Sequence, residues 1–207
     1  MQNTQPINRC YLRPIFIIMI FSLSAPISAQ DEIAWSQDYE LELSDFQSPQ
    51  SEINSELTSY SLFSGASVYF SFNMSSYEFM FAKHFNDKVR CIFNPKIAIL
   101  YAPDSAKANE LLEVARFTFD LNELYARKFR KRLYEEKGAF SDASFFHPLY
   151  DEILEEMNMV ISEIAKQTDL GKDDQLLEQE HVKVLDEIEG LSDFCLDCKP
   201  PKKKRGK

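Results

Sequence analysis

The sequence predicts an α+β fold in which a small antiparallel sheet, at about residues 39–101, packs against a long central helix and two further helices. Three observations indicate this class. Segments of alternating apolar and polar residues fill the region before residue 101. Residues 111–132 repeat apolar side chains at a helical period and contain neither Gly nor Pro. Two later stretches, residues 149–167 and 175–191, show the same period.

The first 29 residues resemble a secretory signal peptide in their order of charge and hydropathy. Arg9 and Arg13 make a positive start, Ile15–Phe21 is a continuous apolar run, and Ala25–Ala29 supplies the cleavage region. We therefore expect cleavage after Ala29 and an exported protein, periplasmic or extracellular. The alternative is an uncleaved anchor, although this run is short for a membrane span. We expect no transmembrane span after cleavage.

The remaining chain suits one α+β domain, residues 30–194, followed by residues 195–207, which hold a C-x-x-C motif and a basic tail expected to be disordered. The whole chain has a net charge of −10, and residues 30–198 alone carry −18, because the basic residues are concentrated at the two ends. An acidic body argues against nucleic-acid binding. The tail suits contact with an anionic polymer or lipid, and equally a solubilising role.

Short alternating segments predict the strands of the sheet, and their aromatic side chains are expected to form its core. The alternation is clearest at Val68–Met74, where Val68, Phe70 and Phe72 share one side. A turn at Asn94-Pro95 should end a strand. The expected strands are Tyr39–Leu43, Leu57–Leu62, Val68–Met74, Tyr77–Phe85, Val89–Phe93 and Ala98–Tyr101.

Capping residues and glycines delimit the three expected helices. Asp104 or Ser105 is a suitable N-cap for the central helix, which should continue to about Lys137 and end at Gly138. A second helix is expected at residues 149–167. After a break that contains Gly171, a third helix is expected at residues 175–191.

The central stretch resembles the central helix of a bacterial family of predicted secreted zinc proteases, the domain of unknown function 922 family. That helix reads roughly L-L-x-H-E-Q-x-H-F-D-I-x-E-L-x-A-R-K-L-R. The residues that match are Leu111, Leu112, Phe119, Asp120, Glu123, Leu124, Ala126, Arg127, Lys128 and Arg130. A second, weaker similarity covers Ile164–Gly171, where Thr168 and Gly171 match a segment whose His is a further candidate ligand.

The positions to which the resemblance assigns metal chemistry hold other residues. The two histidines of the helix fall on Val114 and Thr118, the catalytic Glu on Ala115, and the later His on Leu170. Two histidines at i and i+4 hold one zinc ion, and the adjacent Glu activates its water. Val and Ala can do neither, and Thr is a poor zinc ligand. The resemblance therefore implies a protease-like scaffold with no catalytic residue, no metal ligand and no cofactor.

The histidines and cysteines elsewhere form no recognisable metal motif. His84, His147 and His181 have no His or Cys at ligand spacing. Cys195 and Cys198 follow a helix end among acidic residues, which favours a local disulfide over a redox pair or half of a metal site. Cys91 should then be a free buried thiol, although its pairing with Cys195 or Cys198 stays open.

These observations favour a secreted or periplasmic non-catalytic protein with a binding or structural role in the cell envelope. Its partner would be an envelope protein or polymer. The alternative is a secreted metal-dependent peptidase or hydrolase that uses non-standard ligands. Neither the substrate nor the partner is indicated by a motif.

Overall fold

The computed structural model describes residues 32–71, 74–138 and 144–202. The expected signal peptide and the last five residues of the basic tail lie outside this range. Within the described residues, no helix is both long enough and apolar enough to cross a membrane.

The strands precede the three long helices, which confirms the α+β class, and one long helix lies at the centre. The elements in chain order are β1 (Ile33–Ala34), β2 (Glu52–Ile53), β3 (Ser61–Phe63), β4 (Ala66–Phe70), α1 (Ser76–Phe81), β5 (Val89–Phe93), β6 (Ile99–Ala102), α2 (Ser105–Glu136), α3 (Phe146–Gln167) and α4 (Asp174–Gly190).

The strands form two small sheets rather than the single sheet expected. The first has the order β1-β5-β4 and is antiparallel, and the second has the order β2-β6-β3, with β2 parallel to β6. Two turns separate the sheets, because Gly65 divides β3 from β4 and the turn at Asn94 divides β5 from β6. These turns meet, since the Asn94 amide donates to the Gly65 carbonyl at 3.0 Å. A Cβ at position 65 would lie 2.8 Å from Ala98 Cβ, so Gly is needed there.

Two expected strands, Tyr39–Leu43 and Tyr77–Phe85, are wrong. Leu43–Asp45 is a single 3₁₀ turn, in which the Asp45 carboxylate accepts from the Glu42 amide at 2.7 Å. The stretch expected as the strand Tyr77–Phe85 begins instead with helix α1, whose N-cap is Ser75 and whose Glu78 completes a capping box. The alternating aromatic residues had indicated a strand where this six-residue helix lies.

Helix α2 is the centre of the fold and packs against both sheets, α3 and α4. Asp104 is its N-cap, with Oδ1 accepting from the Lys107 amide at 2.8 Å, and its end at Glu136 lies close to the expected glycine. Two of the basic residues in the second half of α2 form buried ion pairs. Arg127 and Arg130 are buried, and both donate to Glu123 Oε1, at 2.8 Å and 2.9 Å.

The C-terminal segment lies against the body of the protein. Cys195 and Cys198 form a disulfide, as their spacing predicts, and Cys91 is a free buried thiol. Asn86 Nδ2 lies 3.0 Å from the carbonyl oxygens of both Cys195 and Cys198. Arg130 Nη1 also donates to the Phe194 carbonyl at 2.9 Å. Two buried side chains therefore hold the C-terminal segment: Asn86, in the turn directly before β5, and Arg130 on α2.

Candidate functional site

Three of the four positions that the resemblance assigns to metal chemistry line one cleft. We call it the α2–α3 cleft and define it by Val114, Thr118, Asn122, Met157, Ala165 and Leu170, with β3 and β4 along one side. Its volume is about 410 Å³. The fourth position, Ala115, does not line the cleft and is completely buried in the core.

A tight loop after α3 brings Leu170 to the cleft. The Thr168 hydroxyl donates to the Ile164 carbonyl at 2.8 Å and accepts from the Gly171 amide at 3.2 Å. Asp169, Leu170 and Gly171 then have positive φ angles of 49°, 51° and 85°. This left-handed run turns the chain back onto α2, so that the segment Thr168–Gly171 places Leu170 beside Val114.

The polar atoms of the cleft are few, and one of them has no partner. The Thr118 hydroxyl donates to the Val114 carbonyl at 2.7 Å, so its hydrogen is already used in a bond to the backbone of α2. Asn122 is 1% exposed, and its Nδ2 donates to the Thr118 carbonyl at 2.7 Å. Its Oδ1 is buried and has no hydrogen-bond partner in the part of the chain that the structure describes. The cleft is thus an apolar recess with one unused acceptor.

This set of side chains suits binding and does not suit metal-dependent hydrolysis. The side chains of Val114 and Leu170 have no lone pairs, and the hydroxyls and amides that line the rest of the cleft are weak ligands for zinc. Among residues 32–71, 74–138 and 144–202, no three His, Cys, Asp or Glu side chains are grouped so that they could hold a metal ion. An apolar recess with one or a few polar atoms is the usual form of a small-ligand site.

A second cleft on the opposite side of α2 contains a histidine–aspartate contact that sequence reasoning missed. His181 Nε2 on α4 lies 2.6 Å from Asp120 Oδ2, and Trp35 Nε1 donates to Asp120 Oδ1 at 2.6 Å. We call it the α2–α4 cleft; Glu113 and Glu178 also line it, and its volume is about 340 Å³. The three partners are far apart in sequence, so no spacing could have indicated this contact.

The histidines lie at three separate places. His181 is in the α2–α4 cleft, His84 lies between α1 and β5 beside the C-terminal segment, and His147 is exposed in the first turn of α3. The structure therefore does not bring the three together.

A comparison of the chain with protein-family models, curated proteins and solved structures finds no match in any of the three.

Proposed function

We propose that this protein is an exported, non-catalytic binding protein of the cell envelope, built on a zinc-protease-like scaffold, and that the α2–α3 cleft is its binding site. One observation carries the proposal. Val114, Thr118 and Leu170, which the resemblance assigns to metal ligands, share one cleft and give it an apolar wall in place of a metal site.

The cleft indicates the chemistry of its ligand. An apolar group would fill the recess between Met157, Ala165 and Leu170. A donor on that group, N–H or O–H, would meet Asn122 Oδ1, which has no partner among the described residues. A buried acceptor without a donor costs about 1–3 kcal/mol of stability. A ligand that supplies the donor removes this cost, so the unused acceptor favours an apolar ligand with one hydrogen-bond donor.

A fluorescent probe tests this assignment directly. N-phenyl-1-naphthylamine is apolar, carries one N–H group and becomes bright when it leaves water. We expect saturable binding of about one probe per chain. Asn122→Leu should weaken binding roughly tenfold, because the acceptor is lost, and should leave the protein equally stable or more stable. Asn158→Leu is the matched control, since Asn158 lies at the exposed rim of the same cleft.

Two results would contradict the assignment. Equal binding by the Asn122→Leu and Asn158→Leu variants would show that the acceptor is not used. Unchanged binding by Ala165→Phe, which fills the recess from α3, would place the probe elsewhere on the protein.

The scaffold part of the proposal has its own test. Val114→His, Thr118→His and Leu170→His together should create zinc affinity, because the three positions line one cleft and His offers a ring nitrogen at each. Val114→His with Thr118→His alone is the control and should bind zinc more weakly. A folded triple variant that binds zinc no better than the wild type would count against the scaffold assignment.

Export is tested by the N-terminus of the protein. We predict a mature chain that begins at Gln30, because the Arg-flanked apolar run ends at Ser28-Ala29. Intact mass of the protein from the periplasm or medium measures this. Retention of Met1 in the envelope fraction would indicate an anchor.

The second candidate function, a hydrolase, is favoured only by the pair of Asp120 and His181. With Nε2 facing the carboxylate, Nδ1 would be the nitrogen that could accept a proton. Positions 118 and 120 are about 200° apart around the helix, so this pair is remote from the α2–α3 cleft. Peptide hydrolysis that is abolished by His181→Gln would favour this candidate over the binding protein.

A further inference from the structure

Helix α1 turns an apolar face to the solvent. Tyr77, Met80 and Phe81 are spaced i, i+3 and i+4, so they share one face, and their exposures are 70%, 62% and 61%. The Tyr77 and Phe81 rings are in contact, with centroids 4.6 Å apart. Phe79 points the other way, is 6% exposed, and packs on Phe85. Adjacent exposed apolar side chains of this size make the face a candidate interaction surface.

The exposed face belongs to a firmly held helix. Ser75 Oγ accepts from the Glu78 amide at 3.2 Å, and Glu78 Oε2 accepts from the Ser75 amide at 2.7 Å. At the other end, Lys137 Nζ donates to the Ala82 carbonyl at 2.7 Å and lies 5.0 Å from the centre of the Phe79 ring. The body of the protein therefore fixes the direction in which the three apolar side chains point.

A basic pocket adjoins this face. It is lined by Lys83, His84, Lys137, Lys199 and Lys202, together with Met80, and its volume is about 730 Å³. Its lining contains no carboxylate. Lys83, Lys199 and Lys202 form no ion pair with any carboxylate that the structure describes. This concentration of positive charge contrasts with the charge of −18 on residues 30–198.

The disulfide segment brings two of these lysines to α1. Asn86 Nδ2 contacts the carbonyls of Cys195 and Cys198 at 3.0 Å, and the Tyr134 hydroxyl donates to the Pro201 carbonyl. Lys199 and Lys202 are thereby fixed beside Lys83 and Met80. The sequence after Lys202 continues with four more basic residues.

We propose that the exposed face of α1 and the basic pocket together bind the surface of a bilayer that contains anionic phospholipid. Tyr77, Met80 and Phe81 enter the headgroup region, and the lysines contact the lipid phosphates. Charge complementarity favours this partner, because anionic phospholipid attracts the basic pocket and repels the acidic remainder of the protein. The proposal is independent of the α2–α3 cleft.

Vesicle flotation tests the proposal with the exported protein, whose intact mass shows that the apolar stretch Ile15–Phe21 has been removed. One set of vesicles contains phosphatidylcholine alone, and the other contains equal parts of phosphatidylcholine and phosphatidylglycerol. The apolar variant combines Tyr77→Ser, Met80→Ser and Phe81→Ser, and the basic variant combines Lys83→Glu and Lys202→Glu. Controls are Met159→Ser with Val182→Ser, which are 57% and 46% exposed elsewhere, and Lys166→Glu on α3.

The wild type should float with the anionic vesicles and stay behind with the neutral ones. The apolar variant should bind roughly tenfold more weakly. The basic variant should lose more than about fivefold in affinity at each position, because Lys→Glu both removes a positive charge and adds a negative one, and its binding should depend less on salt. The controls should bind as the wild type does.

Three results would overturn the proposal: no flotation with anionic vesicles, equal flotation with both kinds, or wild-type binding by the apolar variant. A wild-type dimer that the apolar variant abolishes in sedimentation, without any vesicle binding, would instead assign the face to contact between two copies of the chain.

Discussion

Gly171 lies so close to Val114 that a Cβ atom at position 171 would be 2.9 Å from Val114 Cγ2. The same atom would lie 3.0 Å from the carbonyl carbon of Glu110, so it would also meet the backbone of α2. Gly171 in addition has a φ of 85°, a conformation that side chains disfavour. This contact fixes the loop after α3 and, through it, the position of Leu170 in the α2–α3 cleft.

We predict that Gly171→Ala lowers the free energy of unfolding by about 1–3 kcal/mol, because strain in φ and the clash with α2 act together. Chemical denaturation measures the loss. Gly190→Ala is the matched control, since a Cβ at position 190 meets nothing within 4 Å. It should be neutral or slightly stabilising, as Ala is favoured in helices. Equal stabilities of the two variants would mean that the loop does not pack on α2 as described.

The second prediction concerns the buried charges on α2. Glu123 accepts from both Arg127 and Arg130, whose other donors bond the carbonyls of Ile188 and Val89 at 2.8 Å. Glu123→Gln leaves two buried guanidinium groups without a counter-charge, so the free energy of unfolding should fall by about 3–5 kcal/mol.

Urea denaturation measures this effect, and Glu136→Gln is the control. Glu136 pairs with Arg132 at 3.0 Å on the surface, where such pairs contribute at most about 1 kcal/mol. If the two variants lose the same small amount of stability, the charges around Glu123 are solvated and the described burial is wrong.

The third prediction concerns Cys91, whose Sγ lies 3.5 Å from the Phe119 carbonyl. Burial raises the pKa of its thiol well above the ordinary value of 9.0. The folded protein therefore keeps the thiol protonated after the unfolded chain has begun to ionise. The contribution of the protonated Cys91 thiol to the free energy of unfolding should be fully present below about pH 9. Above that pH it should fall, by up to about 1.4 kcal/mol per pH unit.

Urea denaturation of the wild type and Cys91→Ala from about pH 7 to pH 10 measures this contribution. Burial also raises the pKa values of Tyr125 and Tyr150. Because both proteins contain these tyrosines, their effect on stability cancels in the difference between wild type and variant. The stability difference between the two proteins should shrink above pH 9. A constant difference, or rapid alkylation of Cys91 in the folded protein, would show that the thiol is accessible.

Helices α2, α3 and α4 could be predicted from sequence because each has a long periodic pattern and a clear end. Asp104 caps α2, and Gly171 interrupts the chain between α3 and α4, as expected. Helix α1 could not be predicted, because six residues are too few to distinguish a helical period from the alternation of a strand. Its capping box, Ser75 with Glu78, was the only local signal that favoured a helix.

The candidate site was predictable only in part. The resemblance named Val114, Thr118 and Leu170, and the structure places all three in the α2–α3 cleft. Asn122 was missed because its role depends on burial and on the absence of a partner for Oδ1 within the described residues. The contact of Asp120 with His181 joins α2 to α4 across 61 positions, and periodicity carries no information about such a pair.

The metal content of the purified protein tests the central claim most directly. Elemental analysis of protein purified without chelator, together with thermal unfolding with and without EDTA, measures both occupancy and its effect on stability. The account predicts no stoichiometric zinc and an unchanged Tm, because Val114, Thr118 and Leu170 cannot hold an ion and the helix packs without one. One zinc ion per chain, with a Tm that falls on chelation, would contradict it.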